Sequence, residues 1–145
     1  MKKKKVIGYT TGVYDMFHIG HLNILRRAKE MCDYLIVGVS TDELVQREKN
    51  KTPIIPFQER VEIVNAIRYV DKVVPQVDKK KLDAWHLYHF DRMFVGDDWK
   101  GTEAWLNYEK EFAVLGVEIV YLPHTDGISS TQLTDVIKKL SEEEQ

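Results

Sequence analysis

A doubly wound α/β fold, with a parallel sheet of about five strands and helices on both faces, is what this sequence predicts. Short apolar runs alternate with helical patterns along the chain. The second of these runs, Tyr34–Ser40, is almost continuously apolar, as a strand covered on both faces must be. The 145 residues are enough for one domain closing a single core.

The elements follow in order. Val6–Thr11 reads as the first strand and Leu22–Met31 as an amphipathic helix, with Leu22, Leu25 and Ala28 at helical spacing. After the strand Tyr34–Ser40, a basic loop spans Arg47–Pro53 and a helix spans Phe57–Arg68. Lys72–Val74, Arg92–Val95 and Val117–Leu122 complete the strands, and Leu82–Tyr88 and Glu103–Leu115 are the helices between them. Thr131–Leu140 reads as a last helix. Without repeat or linker, 1–140 is expected to be one domain and 141–145 a charged tail that frays.

Composition narrows the partners. With 21 Lys and Arg against 23 Asp and Glu, the net charge of −2 provides no global field for nucleic acid, so any anion site must be local. The single cysteine, Cys32, excludes an intramolecular disulfide and a cysteine-rich zinc site, and suits a reducing compartment. The lysine-rich start resembles a secretory leader, but Val6–Thr11 is too short for its apolar core. No run approaches the roughly 20 apolar residues of a membrane helix. A cytoplasmic protein without membrane partners is expected.

The richest segment is Gly12-Val13-Tyr14-Asp15-Met16-Phe17-His18-Ile19-Gly20-His21, at the turn from the first strand into the first helix. A helix start offers free N–H groups and the positive end of a dipole, which suits phosphate. Gly20 lets a phosphate approach the backbone, and His18 and His21, three residues apart, share one face of the first turn. The pattern reads as a polyphosphate site whose donors can serve charge developing at phosphorus. Asp15 either helps hold a magnesium ion or ties down the turn through backbone N–H groups.

Other candidates follow the remaining strands. Lys49 and Lys51 lie in the basic loop, where flexible lysines can close over a triphosphate. Arg60 and Arg68, eight residues apart on one helix, form structural salt bridges or serve phosphates. Asp97 and Asp98 in Gly96-Asp97-Asp98-Trp99 are adjacent carboxylates that need a cation, N–H donors or solvent. Trp99 either walls the site or packs on the sheet. Near the end, Ser129, Ser130 and Thr131 gather hydroxyls and N–H groups at another helix start, with Gly127 leaving room for a ligand.

His18-Ile19-Gly20-His21, with Asp15 and the late Gly127-Ile128-Ser129-Ser130-Thr131, resembles the HxGH nucleotidyltransferase superfamily in its cytidylyltransferase branch. Gly96-Asp97-Asp98-Trp99 is similar to the members that act on glycerol 3-phosphate. The resemblance extends over most of the chain. It implies a Rossmann-like domain that moves CMP from CTP to sn-glycerol 3-phosphate, giving CDP-glycerol and pyrophosphate, with Mg2+ accompanying CTP. In bacteria such a product would feed teichoic-acid or similar glycan modification. Another phosphorylated alcohol, such as phosphocholine or phosphoethanolamine, or adenylyl transfer, is the alternative; a nucleotide-binding module without turnover is a third.

By residue, the resemblance implies that His18, His21 and Lys49 are catalytic. It implies nucleotide contacts for Val13, Tyr14, Gly20, Lys51, Asp98, His124, Thr125, Gly127, Ile128, Ser129, Ser130 and Thr131. Arg68 and Lys81 take acceptor positions, Asp15 a metal position, and the protein a homodimer. The chain departs from the pattern at Val13, where glycerol-phosphate members tend to carry threonine, and at His124, where the family usually has arginine.

Overall fold

Three aspartates mark where strands begin. Asp33, Asp71 and Asp91 accept hydrogen bonds from Val6 N, Leu35 N and Ile7 N at 2.7, 2.8 and 2.9 Å, through side-chain oxygens. The backbone N–H of each donates in return to Val6 O, Leu35 O and Ile7 O. Each clasp ties the start of a strand to its neighbour and so helps set register. The computed structural model describes residues 5–123 and 137–140.

The strands β1 (Ile7–Gly12), β2 (Tyr34–Ser40), β3 (Lys72–Gln76), β4 (Arg92–Gly96) and β5 (Glu118–Leu122) form one sheet in the order β3-β2-β1-β4-β5. Every neighbouring pair is parallel. The chain winds outward from β1 to β3, returns to β4 beside β1, and winds outward again. The order therefore reverses between β1 and β4, and ligands of such sheets bind beyond the strand ends at that point.

Helices α1 (Ile19–Glu30), α2 (Asp42–Lys49), α3 (Phe57–Asn65), α4 (Lys81–Tyr88) and α5 (Glu103–Val114) connect the strands. Side-chain alternation along β2 divides the core. Leu35, Val37 and Val39 pack with Leu25 and Ala28 of α1 and Val64 of α3. Ile36 faces the other layer, with Tyr9, Met93, and Trp105 and Phe112 of α5. Leu35, Val37 and Val39 are fully buried, a contribution of about 1.5–3 kcal/mol each relative to exposure. Gly8 is required by packing, since a Cβ there would lie 2.6 Å from the Phe94 ring and 2.8 Å from Cys32 Sγ.

The expected α/β architecture is present, with three differences in its helices. Asp42–Lys49 is a helix where a loop was expected to begin at Arg47. Its apolar pair, Leu44 and Val45, is adjacent and shows no helical period. The helix is instead started by the Thr41 side chain, which accepts from Leu44 N, and stopped by Asn50 in the left-handed region. Second, α1 begins at Ile19, so Gly20 and His21 lie inside its first turn. Third, α3 ends at Asn65 and Arg68 falls in the turn beyond it. Lys72–Gln76 also extends the third strand past Pro75, which the sheet edge tolerates. Residues 137–140 are helical, as expected of the last element. No helix among the described residues is long and apolar enough to cross a membrane.

Candidate active site

The two histidines cap α1 reciprocally. His18, the N-cap, accepts from Gly20 N at Nδ1 over 3.0 Å, and its own N–H donates to His21 Nδ1 over 3.2 Å. An Nδ1 that accepts carries no proton, so each neutral ring holds its proton on Nε2. The rings stack with centroids 4.0 Å apart. His18 Nε2 is buried and has no hydrogen-bond partner among the described residues, so it is a donor held in reserve. Burial pushes His21 down to about 4, with His18 adding to the shift and Asp15 opposing it. Burial also lowers His18. At neutral pH the pair is therefore uncharged, and its donors and caps are both intact.

The turn before α1 is built around Tyr14. Tyr14 and Met16 have positive φ of 55° and 50°, and the Tyr14 ring folds back under the strand end. A Cβ at Gly12 would lie 2.9 Å from that ring, which explains the glycine. Tyr14 is buried in the core and meets His21 edge-on at 5.4 Å. This corrects the expectation for its side chain: the phenol supports His21 from below and is withdrawn from any ligand above the turn.

Asp15 ties two loops together. Its carboxylate oxygens accept from Ile54 N and Ile55 N, each at 2.9 Å. Of the two roles open in the sequence, the turn-tying one is what the geometry shows. No group of three or more His, Cys, Asp or Glu among the described residues could hold a metal ion. The side chains around Asp15 thus do not fit a protein-built metal centre.

Arg60 gathers the same loops from beneath. Its Nε donates to Ile55 O at 2.8 Å, and its Nη1 to Val13 O at 2.7 Å and Ser40 O at 2.8 Å. Nη2 meets Asp42 Oδ1 at 2.6 Å. The side chain is fully buried, so Arg60 is a structural clamp and does not reach a phosphate. Val13 enters the site's architecture through its carbonyl.

Lys49 ends α2 and Lys51 follows the Asn50 turn, both exposed. Lys49 makes no hydrogen bond or ion pair among the described residues, and its charged neighbours are Lys51 and Lys79. Partial desolvation, followed by repulsion from those two, lowers its pKa. Beside it lies a cleft of about 600 Å3 lined by Arg47, Glu48, Val77, Asp78, Lys79 and Lys80.

Lys81 opens α4 at the carboxyl edge of the sheet. Its Nζ lies 5.1 Å from the ring centroids of both Trp105 and Tyr108. Asp98 sits in a single 3-10 turn, Asp97–Trp99, just after β4. Trp99 is 53% exposed, so it does not pack on the sheet.

Arg68 is not brought to this site. α3 starts near α2, where Phe57 N donates to Asp42 Oδ2, and runs back toward the strands' amino edge. There Asp71 holds the start of β2, and Arg68 stacks on Tyr69 at 5.1 Å. Its expected place beside the acceptor is corrected accordingly: within one chain it lies at the opposite end of the sheet. His124, Thr125, Gly127, Ile128, Ser129, Ser130 and Thr131 lie outside the described residues.

The imidazole pair, the lysine loop and the turn after β4 follow β1, β2 and β4 respectively, so all three lie along the carboxyl edge of the parallel sheet. The model of the cytidylyltransferase-like family matches residues 9–136. The chain belongs to that family.

A glycerol-3-phosphate cytidylyltransferase from Bacillus spizizenii is 41% identical over 131 residues, covering 90% of this chain and 94% of that one. An FAD synthase from Pyrococcus abyssi is 34% identical over 132 residues, with 90% and 89% covered. The solved structure of a lipopolysaccharide core biosynthesis protein from Thermoplasma volcanium superposes with a TM-score of 0.69 at 24% identity, over 86% of this chain and 100% of that one. That likeness concerns the fold.

Three residues that matter here were not visible as such in the sequence. Asp42 pairs with Arg60 across 18 residues, a separation that no local pattern reports. The aromatic pair on α5 around Lys81 carries a helical i, i+3 spacing that reads equally well as core.

Proposed function

We propose that the chain transfers CMP from CTP to sn-glycerol 3-phosphate, releasing pyrophosphate. The observation that carries the reaction type is the pair of imidazoles locked as Nε2–H donors at the start of α1. The acceptor and base follow the glycerol-3-phosphate cytidylyltransferase relatives, 40–41% identical over 90% or more of this chain.

In this reaction an oxygen of the acceptor's phosphate bonds to the α-phosphorus of CTP. The bond from that phosphorus to the bridging oxygen of the β-phosphate breaks, and pyrophosphate leaves with the electron pair. The second pKa of a phosphate monoester is about 6, so the nucleophile is already an anion at neutral pH and needs no general base. What remains is positioning and charge stabilisation. His18 and His21 donate to oxygens on the α- and β-phosphates, and the N-terminus of α1 adds its dipole. Lys49 and Lys51 close over the triphosphate and balance the charge that moves to the leaving group. Asp98 receives the nucleoside, and Lys81 the acceptor's phosphate. By the resemblance, residues 124–131 add further contacts to the phosphates.

CTP is taken as its magnesium complex, with the ion held by triphosphate oxygens and water rather than by a protein cage, a habit of this ion. The protein acts as a homodimer, as the resemblance implies, in the reducing cytoplasm that its single cysteine suits, and CDP-glycerol serves glycan modification such as teichoic-acid assembly.

The FAD synthase relative favours a second reading, adenylyl transfer to a flavin phosphate. Pyrophosphate release measured with CTP and ATP, each against glycerol 3-phosphate, phosphocholine, phosphoethanolamine and FMN, separates the two. Turnover with CTP and glycerol 3-phosphate is the expected result; turnover with ATP and FMN alone would replace it.

A further inference from the structure

We infer that Trp105 and Tyr108 are positioning residues for the acceptor, whose ring faces hold the Lys81 ammonium in place while leaving its charge for the acceptor's phosphate. The inference rests on the proposed function for the identity of the acceptor and deepens it by naming what fixes the acceptor's lysine.

The geometry is a corner. The Trp105 and Tyr108 rings meet at 66° with centroids 5.2 Å apart, and Lys81 Nζ lies 5.1 Å from each. Both rings come from α5, whose first turn is fixed by the Thr102 side chain accepting from Trp105 N. Trp105 is 7% exposed and locked in the core, whereas Tyr108 is half-buried and stands at the open side of the corner. Lys81 itself is half-buried and makes no hydrogen bond or ion pair among the described residues. Burial, followed by repulsion from another cation, Lys79, lowers its pKa. The ammonium is thus short of both water and counter-charge.

A carboxylate in the place of either ring would hold Lys81 equally well but would neutralise it. It would also oppose an incoming phosphate dianion. Aromatic faces attract a cation through the ring quadrupole without a net charge of their own. The lysine is consequently fixed yet uncompensated, at the edge of the sheet where the other phosphate-directed groups lie. A phosphate monoester supplies the missing counter-charge.

The test is a series at Tyr108, read as separate KM values for glycerol 3-phosphate and CTP. Tyr108→Leu removes the ring and raises the acceptor KM about five-fold. Tyr108→Glu raises it further, because the new carboxylate pairs with Lys81. Tyr108→Phe keeps the ring face and restores the KM to within about two-fold of the wild type. Throughout, the KM for CTP stays put. A merely structural role would not produce this order, since Glu and Leu would differ only in stability. Equal acceptor KM values for Tyr108→Glu and Tyr108→Phe, or a KM for CTP that moves in parallel, would overturn the inference.

A second measurement separates this inference from the reaction assignment. With lysines reductively 13C-methylated, the Lys81 resonance, assigned with Lys81→Met, shifts on addition of glycerol 3-phosphate to the wild type and much less in Tyr108→Leu. A Lys81 signal that ignores glycerol 3-phosphate while the enzyme consumes it sinks the inference and spares the function. A signal that responds in a protein releasing no pyrophosphate from CTP sinks the function and spares the inference.

Discussion

The Arg60 guanidinium lies 2.6 Å from the Asp42 carboxylate, and the same group donates to the carbonyls of Val13, Ser40 and Ile55. One buried cation therefore joins the turn after β1, the end of β2, the start of α2 and the loop that follows Lys51. Asp15 joins the first and last of these again from the other side, through Ile54 N and Ile55 N. The site is held by two crossed polar clamps beside the core packing of Tyr14. Backbone carbonyls that turn inward at a sheet edge need a buried donor, and arginine offers five in a fixed fork.

Replacing Arg60 by leucine strands three carbonyls and one carboxylate. A loss of about 3 kcal/mol is expected, at about 1 kcal/mol or more for each stranded carbonyl, while the part-exposed Asp42 carboxylate turns to water. Arg60→Lys recovers little, because a single ammonium cannot span four acceptors in these directions. Urea unfolding of the two variants checks this. A Lys variant as stable as the wild type would show that charge alone suffices.

His21 makes stability depend on pH. Its folded pKa, about 4, is below the unfolded value of 6.5, so between these two pH values the unfolded chain binds the extra proton. Stability therefore rises with pH through that window and falls as pH drops from 6.5 toward 4. His21→Gln removes this term and should flatten the dependence. Thermal melts of both proteins at pH 7 and pH 5 test it, and an unchanged pH slope in the variant would exclude His21 as its source.

Much of this was legible in the sequence, for reasons that differ by residue. Tyr34–Ser40 declared itself because a strand buried on both faces must be apolar throughout. His18 and His21 declared themselves because a helix start and a glycine put two imidazoles on one turn. Asp42–Lys49 did not, since Leu44 and Val45 are adjacent and its helix is set by caps at Thr41 and Asn50 instead. Arg68 was misplaced because the apolar pattern of Phe57–Arg68 runs on past the helix that Ala66 closes. For Arg60 and Asp15 the chemistry was visible but most partners were not, since all of them except Arg60's partner Ile55 lie 18 to 47 positions away.

The capping and chemical roles of His18 are separable. Asparagine is a good N-cap and can accept from Gly20 N in place of Nδ1, but it cannot put a donor where Nε2 stands. His18→Asn should therefore melt within a few degrees of the wild type while kcat falls by about 10² or more, the usual cost of one transition-state donor. His18→Ala should lose both. Equal loss of stability in Asn and Ala variants would mean that the imbalance in activity is structural.

Lys49 is poised by repulsion. It ends α2 among Lys51 and Lys79, has no ion-pair partner among the described residues, and is followed by the left-handed turn at Asn50. A triphosphate arriving above α1 offers the first strong counter-charge. If the contact tightens as charge moves onto the departing pyrophosphate, it is stronger in the transition state than in the ground state, and its loss appears in kcat. Lys49→Ala is expected to lower kcat about 100-fold with the KM for CTP changed only a few-fold. Removing one of three mutually repelling cations should also leave the melting temperature unchanged or slightly higher. Steady-state kinetics with CTP varied at saturating acceptor decide between the roles: an unchanged kcat with a raised KM would make Lys49 a ground-state binding residue only.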